Sequence, residues 1–373
     1  MKSTQIDWLN IGLMLLSLIL ALKIPFELFL FSYAVLGPLH YLTEINWLKE
    51  KNYFSKNNTV FWVMLVLSCV VASKPVIDAL AEWPVTSPYL TSWDNSPLQL
   101  FLFEWSPNFI FVGLIAGISF VVFDKAWISF LVIAVAGTLG YFMMKEDLFV
   151  LWMGAFLPTL IHVYIFTGLF MLYGALKTKS TPGIISVVAL ALCAVLIANY
   201  NFNKIPQISK ETFMAWDKST FQGLSDSFTN MFNIGIERNI EGKKMILRIQ
   251  AFIAFAYTYH YLNWFSKTSI IKWHQVSKKE LALIGGFWAV SVGLYYYDYH
   301  LGLIVLFALS FFHVFLEFPL NIQSIKGIAQ SDLDPFFKQA YIRTVNLSGA
   351  TLLPPSRLGA IVAIGMRESS WFL

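Results

Sequence analysis

Two pairs of a histidine and a glutamate, each four residues apart, are the residues best placed to do chemistry in this sequence. His40 and Glu44 end the second hydrophobic run, and His313 and Glu317 end the last one. Because residues four apart in a helix lie on one face, each pair presents an imidazole beside a carboxylate. Ionisable side chains inside a membrane span are costly and usually face the interior of the bundle, so they are functional candidates.

The composition indicates a polytopic membrane protein. Of the 373 residues, 57% are hydrophobic and 13% are charged, whereas soluble domains contain about 25% charged residues. The net charge of +4 is spread over connecting loops, which favours membrane orientation and predicts no nucleic-acid partner. The first apolar run follows Asp7 without a small-residue cleavage site, so it is predicted to be the first span.

The predicted fold class is all-α, a polytopic transmembrane helical bundle of about ten helices. Runs long enough to cross a hydrocarbon core of ~30 Å are residues 8–22, 26–43, 60–72, 107–123, 126–144, 148–176, 183–199, 245–265, 281–297 and 301–320. The bundle is assigned to residues 1–325. Residues 326–373 are assigned to a C-terminal tail of uncertain order.

Two segments interrupt the apolar pattern. Residues 73–106 are acidic and rich in proline and tryptophan, which predicts an interfacial loop because tryptophan favours the headgroup layer. Residues 200–244 form a polar loop, and the weak amphipathic spacing within residues 211–232 predicts a helix lying in the interface.

Loop lysines predict the orientation of the bundle. They are Lys49, Lys51, Lys56, Lys177, Lys179, Lys267, Lys272, Lys278 and Lys279. The positive-inside rule then places both termini in the cytoplasm and residues 73–106 outside. The basic loop 200–244 lies outside in this scheme, against the rule, although long loops count for less.

Four histidines share one depth in this topology. They are His40, His162, His260 and His313. With a rise of 1.5 Å per residue they lie about 18 to 22 Å below the outer boundary. Four neutral imidazoles at one level could bind a metal such as Fe(II), with Glu44 and Glu317 as acceptors for ring N–H groups or as further ligands. The alternatives are a separate hydrogen bond from each histidine to a neighbouring helix, a proton relay or a haem pair.

Prolines and polar residues next to the histidines add detail to this site. Pro38 and Pro158 lie just ahead of two of the histidines, and each is expected to kink its helix there. Tyr257, Asn263 and Trp264 lie near the third and are candidates for lining a substrate pocket. Packing or interface anchoring is the alternative for the two aromatic residues.

At these motifs the sequence resembles the Brp/Blh family, membrane-embedded beta-carotene dioxygenases that use iron held by histidines. Gly37-Pro38-Leu39-His40, with Glu44 four residues on, resembles that family's Gly-Leu-Pro-His motif and its following acid. Leu160-Ile161-His162 resembles its Ile-Ile-His motif in a middle helix.

Two later motifs extend the resemblance over most of the first 325 residues. His260 stands where the family has the first histidine of a His-x-x-x-His pair, and Trp264 occupies the place of the second. His313 with Glu317 resembles a late helix that bears a histidine and an aspartate. The resemblance implies an iron site in which His313 supplies the fourth ligand, and a carotenoid substrate.

The leading hypothesis is therefore a metalloenzyme of the bacterial inner (cytoplasmic) membrane. It would be a non-haem iron oxygenase acting on a carotenoid, isoprenoid or other lipid, with Fe(II) at the four histidines and Glu44 and Glu317 as catalytic residues. Its expected partners are the lipid bilayer and an apolar small-molecule substrate. The alternatives are a proton-coupled transporter or permease using the same histidines, or a non-catalytic membrane subunit.

Overall fold

The computed structural model describes residues 3–50, 59–82, 86–90, 92–93, 96–203, 206–217, 221–231 and 240–331. Within these ranges every regular element is a helix and no strand occurs, which confirms the predicted all-α class. Lys51, Lys56 and the tail from residue 332 onward lie outside the described residues.

The helices follow one another through short connections. The first part of the chain contains α1 (Ser3–Lys23), α2 (Pro25–Phe31), the π-helical segment π1 (Ser32–Leu36), α3 (Gly37–Glu50), α4 (Thr59–Glu82), α5 (Ser87–Leu90), α6 (Pro97–Glu104), α7 (Ser106–Val122) and α8 (Ala126–Met143). The second part contains α9 (Asp147–Leu151), the π-helical segment π2 (Trp152–Phe166), α10 (Thr167–Thr178), α11 (Thr181–Asn199), α12 (Lys210–Asp217), α13 (Phe221–Met231), α14 (Ile240–Ser266), α15 (Thr268–Ile271), α16 (Lys278–Tyr297) and α17 (Tyr299–Ala329).

Several apolar helices indicate a multi-pass membrane protein. Among the described residues, seven helices are long and apolar enough to cross a membrane. An eighth span results if α6 and α7, which are bent by 53° relative to each other, are taken together. The predicted runs 245–265 and 281–297 are helical as α14 and α16 but are not among these spans, so the count of about ten is not confirmed.

The segment 73–106 contains more helix than an interfacial loop would. α4 continues through Pro75 to Glu82, because one proline removes a single backbone hydrogen bond and the ion pair of Lys74 with Asp78 joins neighbouring turns. α6 begins at Pro97, and the Ser96 side chain caps it by accepting a hydrogen bond from the Gln99 backbone N–H at 3.3 Å.

The polar segment 200–244 also packs against the bundle. Its described part forms α12 and α13, and the Trp216 side chain is buried. The Trp216 indole donates to Gln250 Oε1 at 3.1 Å and meets the Phe26 ring edge-on at 5.2 Å between centroids. The expected interfacial helix is therefore two helices. α12 packs against α2 and reaches α14 through Trp216, and α13 packs against α14 and π2.

The two helices that carry the later histidines have largely different neighbours. α14 packs against α1, α2, π1 and π2, whereas α17 packs against α4, α7, α10 and α3. α7 approaches α17 closely at Gly117, where an added Cβ would lie 2.8 Å from Phe318 Cβ. α17 runs to Ala329, so residues 326–329 belong to the last helix and not to a separate tail.

Candidate functional site

The four histidines come from four different helices. His40 lies in the first turn of α3, directly after π1, and His162 lies inside π2, whereas His260 and His313 lie within α14 and α17. Pro158 also lies in π2, and Pro38 follows π1. At both prolines the backbone widens into π-helical turns, which often occur at functional sites.

All four imidazoles meet in one buried cluster. Nε2 of His40 is 3.0 Å from Nε2 of His260, and Nε2 of His162 is 3.1 Å from Nε2 of His313. The two pairs lie side by side, because the His40 and His313 ring centroids are 5.3 Å apart and those of His162 and His260 are 5.0 Å apart. Every one of these side chains is at most 5% exposed. The four histidines therefore contact one another in a single cluster.

The separations between the ring nitrogens are those of ligands around one ion. His40, His260 and His313 offer nitrogen atoms that all lie within 4.8 Å of one another. Two nitrogens about 2.1 Å from a metal are about 3.0 Å apart when they subtend a right angle, and about 3.4 Å apart in a tetrahedral site. The observed Nε2 pairs thus fit right-angled positions, although an N–H···N hydrogen bond within each pair has the same length.

A threonine hydroxyl contacts the outer nitrogen of His260. Thr167 Oγ1 lies 2.9 Å from the Val163 carbonyl oxygen and 2.7 Å from His260 Nδ1. When the hydroxyl donates to the carbonyl, its oxygen accepts from His260 Nδ1–H. In that tautomer the Nε2 lone pair of His260 faces the centre of the cluster, as a metal ligand requires.

Glu317 lies beside the outer nitrogen of a second histidine, His162. Its Oε2 lies 2.8 Å from Nδ1 of His162, which is ion-pair distance, although the N–H direction is not aligned for a hydrogen bond. A carboxylate at this distance repels a ring lone pair and favours the tautomer with the proton on Nδ1. His162 Nε2 then also turns a lone pair inward.

The two glutamates occupy different positions relative to the cluster. The sequence predicts each one beside the histidine one turn before it, and this holds for Glu44, whose Oε2 is 3.1 Å from His40 Nε2. Glu317 instead reaches across to a histidine of another helix. Glu44 therefore contacts an inward-facing nitrogen, where it can act as a ligand or take up a proton, whereas Glu317 orients the outer side of an imidazole.

Three further residues at the site were not predicted. Tyr41 stacks on His313 with ring centroids 4.2 Å apart, and its hydroxyl is 2.8 Å from that of Tyr261. Both tyrosines directly follow a site histidine in the sequence, which is a signal that could have indicated them. Thr167 lies five residues after His162, a spacing that places two residues together only when the helix widens to π geometry.

The predicted pocket residues divide between two cavities. A cavity of about 850 Å³ is lined by two of the four histidines, His40 and His260. Its lining also includes both glutamates, Asn263, Trp264 and Lys267. The Trp264 indole N–H donates a hydrogen bond to Thr43 Oγ1 at 3.0 Å, which holds the side chain at this cavity. Tyr257 lines a different cavity of about 360 Å³, together with Ser310.

The chain matches no protein-family model, no curated protein and no solved structure. The resemblance to the Brp/Blh family therefore stays a prediction that rests on the motif residues.

Proposed function

We propose that this protein is an intramembrane metalloenzyme, in which His40, His162, His260 and His313 hold Fe(II) and a lipid is oxidised beside them. The observation that carries this proposal is the meeting of the four imidazoles in one cluster, with Thr167 beside the outer nitrogen of His260 and Glu317 beside the outer nitrogen of His162. These partners favour the tautomers in which both Nε2 lone pairs face the centre of the cluster. The expected substrates are a carotenoid, an isoprenoid or another lipid.

Bound iron would supply the activation of O₂. The protein holds the imidazoles in fixed tautomers and surrounds them with apolar side chains that exclude water. Glu44, next to His40 Nε2, is placed to take up or return a proton at the reacting centre. The cavity of about 850 Å³ is large enough for the part of a lipid chain that must lie beside the cluster.

We also propose that α14 and α16 cross the membrane, which completes a bundle of about ten spans. α14 carries residues with no exposed surface, including Ala251, Ile253 and Phe255, and it bears His260 at the centre of the bundle. Its polar residues therefore face other helices and not lipid. With the lysine-rich loops inside, the protein lies in a bacterial inner membrane with both termini cytoplasmic.

Metal content and oxidation together test the proposed function. Protein purified from iron-supplemented cells should contain about one iron per chain, with His313→Ala losing the metal and exposed His274→Ala retaining it. Expression in a carotene-producing bacterium should change the pigments or another lipid only in the presence of iron and O₂. An unchanged lipid extract from cells containing iron-loaded protein would refute the enzymatic role.

One observation favours a second candidate, a proton-coupled transporter. The cavity of about 360 Å³ is lined by Ser310, one turn before His313, whereas the larger cavity is lined by Leu320, two turns after it. The histidine cluster thus separates two cavities, as a gated permeation path would. A metal-independent proton flux in proteoliposomes that His162→Ala abolishes would support this candidate, and its absence would leave the oxygenase as the better account.

A further inference from the structure

The larger cavity changes in character from the histidines to its opening. Near the cluster it is lined by His40 and Glu44, and its side walls include Phe170 and Met171. Its far end is lined by the side chains of Lys177, Lys267 and Lys272. A cavity with apolar walls and a basic opening suits an amphiphile better than a wholly apolar hydrocarbon.

Lys267 is the most enclosed of these three lysines. It is partly buried, whereas Lys177 and Lys272 are exposed. Burial lowers the pKa of Lys267 to about 8, with the Asp7 charge acting in the opposite direction. No ion pair of Lys267 occurs among the described residues. Its ammonium group therefore lies in a partly desolvated position without a directly paired anion.

The charges around the opening leave an excess of positive charge. Asp7 is the acidic residue at this end of the cavity, and it already accepts a hydrogen bond from the Ser180 hydroxyl. Lys177 lies over the Tyr173 ring at 5.7 Å from its centroid. One carboxylate therefore faces three lysines, so an anionic ligand would restore the balance of charge.

A second polar group points to a ligand at the same place. Asn263 lies one turn before Lys267, lines the cavity and is 7% exposed. Its Oδ1 has no hydrogen-bond partner among the described residues. Rotation of the amide exchanges its oxygen and nitrogen, so this side chain can donate to an anionic group or accept from a hydroxyl on it.

We propose that the substrate is a lipid with an anionic head group, a carboxylate or a phosphate, which Lys267 and Asn263 bind at the cavity opening. This inference rests on the proposed function, because it names the substrate class of the same site. Lys267 follows His260 by seven residues, an axial distance of about 10 Å. The bond that reacts should therefore lie about 10 Å along the chain from the head group.

Binding of three lipids of equal chain length tests the head group. The full-length protein is first stripped of metal with a chelator, and its affinities for oleate, oleyl phosphate and oleyl alcohol are then measured by competition with a fluorescent fatty acid in detergent. The two anions should bind at least about tenfold more tightly than the alcohol. Whichever anion binds more tightly identifies the carboxylate or the phosphate as the natural head group.

Variants of Lys267 test whether this side chain causes the preference for the anions over the alcohol. Lys267→Gln should lower the affinity for both anions to that for the alcohol, whereas Lys267→Arg should keep the preference. The control Lys125→Gln, in the loop before α8, should behave as the wild type. Equal binding of anions and alcohol by the wild type would overturn the inference. A Lys267→Gln variant that still binds the anions more tightly than the alcohol would also overturn the inference. If Lys267→Gln does not fold, the comparison of the three lipids on the wild type still decides.

The binding experiment also separates this inference from the proposed function. Because it uses metal-free protein, anion binding does not depend on oxidation. Preferred binding of the anions without any iron-dependent oxidation would refute the oxygenase and leave the head-group site in place. Oxidation of the alcohol and the anions at equal rates and equal affinities would retain the oxygenase and refute the head-group site.

Discussion

The substitution Glu317→Gln tests the idea that the histidines are oriented from outside to bind a metal. The Glu317 carboxylate lies 2.8 Å from His162 Nδ1, and both residues are at most 3% exposed. Glutamine has the same size, so the cavity is preserved, but its neutral amide oxygen interacts more weakly with a ring N–H. We expect the amide to hold the ring in place less firmly.

The magnitude follows from the loss of one charge-assisted contact. A hydrogen bond to a charged group contributes about 1.5–3 kcal/mol, and a neutral one about 0.5–1.5 kcal/mol. The Glu317 contact lies at ion-pair distance, so we take the difference between these values, about 1 to 1.5 kcal/mol, as the effect of removing its charge, which corresponds to a loss of metal affinity of roughly 5- to 13-fold. This range overlaps the 10- to 100-fold effect that is usual for groups orienting a metal ligand.

The assay is a competition between the protein and a chelator for Co(II), whose absorption reports the ligand field. Glu317→Gln should weaken binding by the stated factor without changing the spectrum, because the four ligands remain. Glu44→Gln should alter the spectrum if the carboxylate is itself a ligand, since it lies beside an inward-facing nitrogen. Exposed Glu104→Gln is the control. Equal affinity in Glu317→Gln and the control would refute the orienting role.

Three further predictions concern charge, packing and topology. The affinity for an alkyl sulfate, whose charge is fixed, should fall as the pH rises from 7 to 9, because Lys267, with a pKa of about 8, loses its charge. Asp7, Lys177 and Lys272 are the other charged residues that line this end of the cavity. Lys267→Arg should remove the pH dependence, and an unchanged wild-type affinity would contradict it. Gly117→Ala should destabilise the protein by about 1–3 kcal/mol in a detergent melt, because its Cβ would meet Phe318, whereas Gly285→Ala, with open space around it, should not lower the melting temperature. Single cysteines at Trp93 and Lys272, in a background without Cys69 and Cys193, should be labelled from opposite sides of the membrane. Labelling of both from the same side would contradict the proposed topology.

The convergence of the histidines could be predicted because it depends on local properties of the chain. The apolar runs fix where each helix begins, and the constant rise of a helix converts a residue count into a depth. These counts predict one level for His40, His162, His260 and His313. The contacts among the four rings agree with that prediction, although α14 begins at Ile240, before the predicted run 245–265.

The contacts of individual side chains could not be predicted in the same way. Glu317 and His313 are one turn apart on α17, yet Glu317 contacts His162, because the choice between neighbours depends on how the helices are rotated about their axes. The contact of Thr167 with His260 requires the π-helical geometry of the segment that precedes it, which proline at residue 158 suggested only as a kink.

The helix α4 is longer than the predicted run of residues 60–72. Proline and acidic residues predict a break after residue 72, whereas α4 continues through Pro75 to Glu82. A proline disfavours a helix by about 3 kcal/mol. Continued burial of side chains such as Ala81 against the bundle can exceed this cost. Such packing is determined by distant parts of the chain.

The charges of the two buried glutamates bear on both candidate functions, the metalloenzyme and the proton-coupled transporter. Glu44 and Glu317 are both buried, and neither forms an ion pair with a lysine or arginine among the described residues. Two unpaired carboxylates inside a membrane bundle are too costly to remain ionised without a compensating positive charge.

A divalent metal held by four neutral imidazoles supplies two positive charges and balances the two carboxylates, and two protons achieve the same balance. A site that exchanges a metal for protons must therefore release protons when it binds the metal. A proton transporter must instead pass protons from one side to the other without a metal. We propose the metal because Thr167 and Glu317 contact the outer nitrogens of His260 and His162 and favour one tautomer of each ring, whereas a proton relay needs each imidazole free to change its tautomer.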